Sequence, residues 1–217
     1  MSAPQKGRLV VISGPAGSGK GTVVTNLRGI GSYGYSVSAT TRPPRAGERD
    51  GVEYFFLTQE QFREKIDRGE MLEYNFYSGN YYGTPLRSVL DQLDAGMNVI
   101  LEIDVNGGMN AKRVYPETVL VMLTPPDYPT LEARLRGRGT NTEEDIRVRL
   151  GESERELRCL RDYNALVVSY DGESEKAARE IDAFLRSEAP EKASVENADE
   201  FIRQFFAEKS EKRGINE

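Results

Sequence analysis

Short apolar, β-branched runs punctuate the chain at residues 8–13 (RLVVIS), 98–104 (NVILEID), 118–124 (TVLVMLT) and 166–169 (LVVS). Each is too short for a helix and too uniformly apolar for a half-exposed strand, so each predicts a strand buried on both faces. Between them the apolar positions recur at helical spacing. Helices are expected at 22–29, at 87–95 before Gly96, and at 130–136. A longer one opens at Thr142, whose TEED is a capping box, and carries Ile146, Leu150, Leu157 and Leu160 on one stripe. Another at 174–186 aligns Ala177, Ile181, Phe184 and Leu185. This alternation predicts the α/β class: a doubly wound parallel sheet with helices on both faces.

Two stretches depart from it. Residues 36–84 hold closely spaced short strands, SVSATT and EYFFLT, and a helix at 59–67 between Thr58 and Gly69. They read as a small inserted α/β unit rich in Tyr, Arg and Gly. From about residue 188 the chain turns acidic, with eight Asp or Glu against five Lys or Arg. There Phe201, Ile202, Phe205 and Phe206 form a one-sided stripe after Asn197, expected as an amphipathic helix docking on the core, with a partner as the alternative.

Composition narrows the chemistry. The 217 residues contain no His and one Cys, Cys159, which excludes imidazole acid–base catalysis, His-ligated metal sites and a disulfide framework. No apolar run reaches the roughly 18 residues of a membrane span, so a soluble, cytoplasmic protein is expected. The net charge of −6 argues against nucleic acid as a partner. Yet 21 of the 29 cations are Arg, whose planar fork grips phosphate with two bonds where Lys offers a point charge.

The first chemical signal is the strand RLVVIS running through GPAGSGKGT (14–22) into a helix. Gly14, Gly19 and Lys20 match fixed positions of the Walker A phosphate-binding loop, whose backbone N–H groups and helix N-terminus cradle a phosphate chain. Gly21 occupies the place of the usual Ser or Thr and cannot ligate a metal, leaving Thr22 for a phosphate or a magnesium-bound water. The second signal is Glu102 and Asp104 closing the central strand, where acids beside such a loop suit Mg2+ held through its waters. The third is the insert. Arg42 and Arg45, stiffened by prolines, together with Tyr54, Tyr81 and Tyr82, suit a dianionic phosphate monoester. Glu73, Ser38 and Thr84 are then candidates to read a base edge. A carboxylate accepts from guanine's ring N–H and amine together, a donor pair adenine lacks.

With these residues in place the sequence resembles the guanylate kinase family, P-loop enzymes that phosphorylate GMP with ATP. Five motifs in order carry the resemblance over residues 7–187: GPAGSGKGT, SVSATTRPPRAGERDGVEYFF, EYNFYSGNYYGT, LEIDVNG and RLRGRGTNTEEDIRVRL. It implies a P-loop core (6–37, 97–137 and 161–187), a GMP-binding insert (38–96), a helical lid (138–160) and an acidic tail (188–217). It implies ATP binding by Gly14, Gly17, Gly19, Lys20, Gly21, Thr22 and Arg134. GMP would be held by Ser38, Arg42, Arg45, Glu48, Tyr54, Glu73, Tyr82, Thr84, Glu102 and Asp104. Lys20, Arg42, Arg138 and Arg149 would be catalytic, Mg2+ would be the cofactor near Asp104, and the enzyme would work as a monomer or homodimer. Ser169 stands where the family commonly has Asn near adenine, and Asn106 where it often has Gln. Two alternatives stay open: a P-loop kinase for another acceptor, and an inactive guanylate-kinase-like interaction module.

Overall fold

The computed structural model describes residues 6–137, 139, 142–207 and 209. Strand β1 (Leu9–Ser13) is buried at every position, as its unbroken apolar run requires. A glycine-rich turn leads into helix α1 (Lys20–Ile30), followed by three short strands, β2 (Tyr33–Tyr35), β3 (Ala39–Thr40) and β4 (Phe55–Phe56). Helix α2 (Gln59–Asp67) precedes a hairpin of β5 (Met71–Tyr77) and β6 (Asn80–Pro85). Next come α3 (Leu86–Asp94), β7 (Asn98–Glu102), α4 (Val105–Val114), β8 (Val119–Thr124) and α5 (Tyr128–Gly137). The chain ends with α6 (Glu143–Arg158), a 3-10 turn at Cys159–Asp162, β9 (Ala165–Val168), α7 (Ser174–Leu185) and α8 (Ala198–Phe205). No helix among the described residues is long and apolar enough to cross a membrane.

The chain forms two compact units whose boundary falls inside β1. The first comprises the chain up to Val11 and Ser32–Thr118; the second comprises Ile12–Gly31 and everything from Val119. In the first unit the strand order is β2-β7-β1, with β2 parallel to β7 and Tyr33 opposite Asn98. A second sheet, β4-β3-β6-β5, is mixed: β3 runs parallel to β4 and antiparallel to β6. The β5–β6 hairpin closes through Ser78 and Gly79, both with positive φ (49° and 81°), the twist that suits a two-residue connection. Helix α2 covers one face of this sheet, where Phe62, Ala39 and Met71 are buried and Leu57, Ile66 and Tyr81 pack around them. Its start is a complete capping box between Thr58 and Gln61.

In the second unit the order is β1-β8-β9, with β8 parallel to β9 and Val121 opposite Ala165. Both α6 and α7 bury one stripe, and α6 opens on the expected capping box, Thr142 with Asp145. The acidic segment is held at several points. Asn164 donates to the carbonyls of Glu191 (2.9 Å) and Ala193 (2.8 Å) while accepting from the Leu120 N–H (2.8 Å). Arg161 pairs with Asp199 (2.6 Å), and Lys209 with Glu154 (2.7 Å). Phe205 is buried, and Phe206 meets Tyr128 at 5.7 Å between centroids. Asn197 stands at the N-cap of α8 without a side-chain cap bond.

Several expectations are corrected. The strand expected to 104 ends at Glu102, because Asp104 turns the chain into α4, a helix the apolar pattern did not announce. SVSATT and EYFFLT keep only two paired residues each, since the prolines and glycines between them interrupt the ladder. Tyr81 stacks on Phe62 at 5.1 Å, on the face that α2 covers, and so leaves the set of phosphate donors.

Candidate active site

In the second unit, the candidate phosphate-donor half-site is built by the turn between β1 and α1. A side chain at Gly14 (φ 146°) would stand 2.0 Å from the Leu123 carbonyl oxygen, so only glycine lets the loop leave β1 here. Gly19, at φ 89°, is the N-cap of α1 and provides no side-chain cap, leaving the first N–H groups of the helix for a ligand. Lys20 folds back over the loop, donating to the carbonyls of Gly14 (2.6 Å) and Pro15 (3.1 Å). Gly21 and Thr22 are exposed on the first turn. Arg134 of α5 reaches the same loop: its Nη1 points at the Gly17 carbonyl (3.5 Å) and its Nη2 donates to the Ser169 carbonyl (2.7 Å). Arg149 is half-buried on α6, and Arg138 lies outside the described residues.

The candidate acceptor half-site lies wholly in the first unit, on the sheet face opposite α2. Strand pairing sets Glu73 against Thr84 and Asn75 against Tyr82, and directly opposed residues share a face. Glu73 is 7% exposed and accepts from the Thr84 hydroxyl at 2.7 Å. Burial pushes its carboxyl above the ordinary carboxylate range; the Thr84 bond opposes this and the nearby Asp104 charge adds to it. Arg42 donates to Glu48 Oε1 (2.8 Å), and Glu48 Oε2 accepts from the Arg45 backbone N–H (2.7 Å). The Arg42 guanidinium lies over the Tyr54 ring at 5.6 Å, and Tyr54 meets Tyr82 edge-on at 6.3 Å. Its hydrogen bond to Arg42 holds the Glu48 carboxyl below its usual range, with the Arg45 N–H helping. The Arg45 side chain is exposed, and Ser38 is half-buried with its carbonyl bonded to the Phe55 N–H (2.8 Å).

Asp104 caps α4 through the Gly107 N–H (2.7 Å) and accepts from Asn75 Nδ2 (3.3 Å), while Glu102 is exposed. A Cβ at Gly107 would stand 3.1 Å from Glu73 Oε2, tighter than an ordinary contact, so the glycine lets the helix approach the acid without displacing its carboxylate. Asn75 and Gly107 were not anticipated. Asn75 sits two positions from Glu73, and the period of a strand already places both on one face. Among the described residues no group of three or more acidic, Cys or His side chains could hold a metal ion. That donor set fits Mg2+ only as an ion carried largely by nucleotide phosphates and water, the usual habit of this cation.

A family model described as "Guanylate kinase" matches residues 6–188. The chain belongs to the guanylate kinase family. A relative from Prochlorococcus marinus named guanylate kinase is 45% identical over 180 residues, covering 82% of this chain and 96% of its own. A second from Streptococcus mutans is 46% identical over 186 residues, covering 85% and 88% respectively. The crystal structure of guanylate kinase from Anaplasma phagocytophilum superposes with a TM-score of 0.65 at 28% identity, over 93% of this chain and 96% of that one. The guanylate kinase match ends at residue 188, so the segment carrying α8 lies beyond it.

Proposed function

We infer that this protein transfers the γ-phosphoryl group of ATP to GMP, giving ADP and GDP. The family relationship supports the reaction, and the Glu73–Thr84 pair carries the choice of acceptor. One Glu73 oxygen is taken by the Thr84 hydroxyl, and the other faces Gly107, which has no side chain to cover it. A buried carboxylate so held accepts from guanine's ring N–H and exocyclic amine together.

Ser38 and Thr84 complete the reading of guanine, with Asp104 and Glu102 at its margin. Arg42, Arg45, Tyr54 and Tyr82 hold the GMP phosphate, and Glu48 keeps the Arg42 fork in shape before the phosphate arrives. On the donor side Gly14, Gly17, Gly19, Gly21 and Thr22 wrap the triphosphate, and Lys20 turns its ammonium from the loop carbonyls to phosphate oxygens. Arg134, Arg138 and Arg149 serve the phosphates being exchanged. In this reading residues 38–96 are the GMP-binding insert, 138–160 the lid, and 6–37, 97–137 and 161–187 the core.

The attacking GMP oxygen is already anionic, so no general base is needed and a chain without His loses nothing. The barrier lies in aligning two anionic groups and neutralising charge spread over the transferred phosphoryl, which the cations above supply. Asp104 would hold Mg2+ through its waters; when bound, the ion would neutralise charge on the phosphate oxygens. We place the enzyme in the cytoplasm, as a monomer or homodimer without nucleic-acid or membrane partners. The test is ADP formation from MgATP with GMP, AMP, CMP, UMP or no acceptor. Turnover with GMP alone is expected. Preference for another acceptor would overturn the Glu73 assignment, and nucleotide binding without turnover would make the protein an interaction module.

A further inference from the structure

We propose that Asp171 is a positioning residue for the phosphate-donor half-site, setting the plane of the Arg134 guanidinium against the phosphate-binding loop. The proposal rests on the reading above that Arg134 serves ATP. Asp171 lies between β9 and α7, in a turn closed by the Glu173 N–H on the Tyr170 carbonyl (3.1 Å). Its Oδ1 accepts from both Nε (2.9 Å) and Nη2 (2.7 Å) of Arg134. Nη2 also donates to the Ser169 carbonyl (2.7 Å), and Nη1 faces the Gly17 carbonyl (3.5 Å). The guanidinium is thus tied in its own plane to two segments, the glycine-rich loop and the turn after β9.

Among these acceptors Asp171 alone contributes a side chain; the other two are main-chain carbonyls that substitution cannot remove. The exposure is unequal: the Arg134 side chain is 18% exposed and that of Asp171 is 81% exposed. An ion pair with one partner in water contributes little to stability. What it does provide is direction, because a carboxylate oxygen shared by Nε and Nη2 resists rotation of the fork. With the donors spent in-plane, a misdirected Arg134 would lose its orientation toward a bound nucleotide without loosening the fold.

The experiment compares Asp171→Ala, Asp171→Asn and Arg134→Ala in the full chain, measuring KM for ATP, KM for GMP, kcat and the melting temperature. Asp171→Ala is expected to raise KM for ATP about fivefold, the upper range for a partly exposed pair, with KM for GMP and the melting temperature unchanged. Asp171→Asn should recover most of this, because its amide oxygen still accepts from both nitrogens. An unchanged KM for ATP in Asp171→Ala, while Arg134→Ala raises it, would overturn the positioning role alone. No effect from Arg134→Ala would instead remove the assignment of Arg134 to ATP, and the proposal with it. A melting temperature that falls in step with the KM change would reduce Asp171 to a structural residue.

Discussion

Glu73, which we propose reads the acceptor base, also bears on the stability of the fold that carries it. Its carboxyl is buried and held above the ordinary range chiefly by loss of water, so ionising it works against the folded state. Its contribution to stability is therefore complete below the unfolded carboxylate pKa and is lost as pH rises through the higher folded value. Glu73→Gln keeps the bond from Thr84 and removes the charge. We expect it to raise the melting temperature near neutral pH and to flatten this part of the pH–stability curve, as thermal melts from acid to neutral pH would record. The same change presents an amide where guanine needs an acceptor, so kcat/KM for GMP should fall about 10- to 100-fold. A destabilised variant with unaltered GMP kinetics would contradict both halves of this account. Glu73 was legible in the sequence as a candidate base-edge reader, because a carboxylate can accept guanine's paired donors. Asp171 was not, because it is 37 residues from Arg134 and no spacing rule connects them.

At the scale of elements, legibility followed local signals. Helix α2 appears with the expected bounds because Thr58 and Gln61 mark its start in the sequence itself. Helix α4 escaped notice because Gly107 and Gly108 sit in its first turn and weaken any apolar stripe; the Asp104 cap supplies a local support that its composition lacks. The β5–β6 hairpin was hidden for a different reason: aromatics occupy both its faces, so strict alternation is absent.

The acidic segment offers a test at this scale. Asn164→Asp preserves the acceptor for the Leu120 N–H but sets a carboxylate against the carbonyls of Glu191 and Ala193. Loss of two buried donors should cost about 1–3 kcal/mol and speed hydrogen exchange through α8, leaving β8 protected. Equal exchange in the variant and the parent would show that Asn164 does not hold this segment. A second tie is pH-dependent: bonds from Lys209 and Arg158 lower the Glu154 carboxyl from 4.5 to about 2. That stabilisation is present above 4.5 and lost as pH falls toward 2, so the contact with Lys209 weakens in acid.

Across the whole molecule, the residues assigned to the two nucleotides separate cleanly. Those for GMP all lie in the first compact unit and those for the ATP phosphates in the second. Damage to one half-site should therefore spare binding at the other. Lys20→Ala is expected to lower turnover at least about 100-fold while calorimetry still records GMP binding. Glu73→Gln should give the reverse pattern, weak GMP binding with ATP retained. Loss of both ligands in either variant would mean that the halves are not independent.

The boundary inside β1 bears on how the protein is made. The chain passes between units after Val11, Gly31 and Thr118, so neither unit is one continuous stretch. On the ribosome β8, whose Leu123 carbonyl crowds Gly14, emerges about a hundred residues after the phosphate-binding loop. At about 5–20 residues per second that is an interval of roughly 5–20 s. During it the edge of β1 that β8 covers has no strand to pair with, which leaves an apolar strand edge open to nascent-chain chaperones.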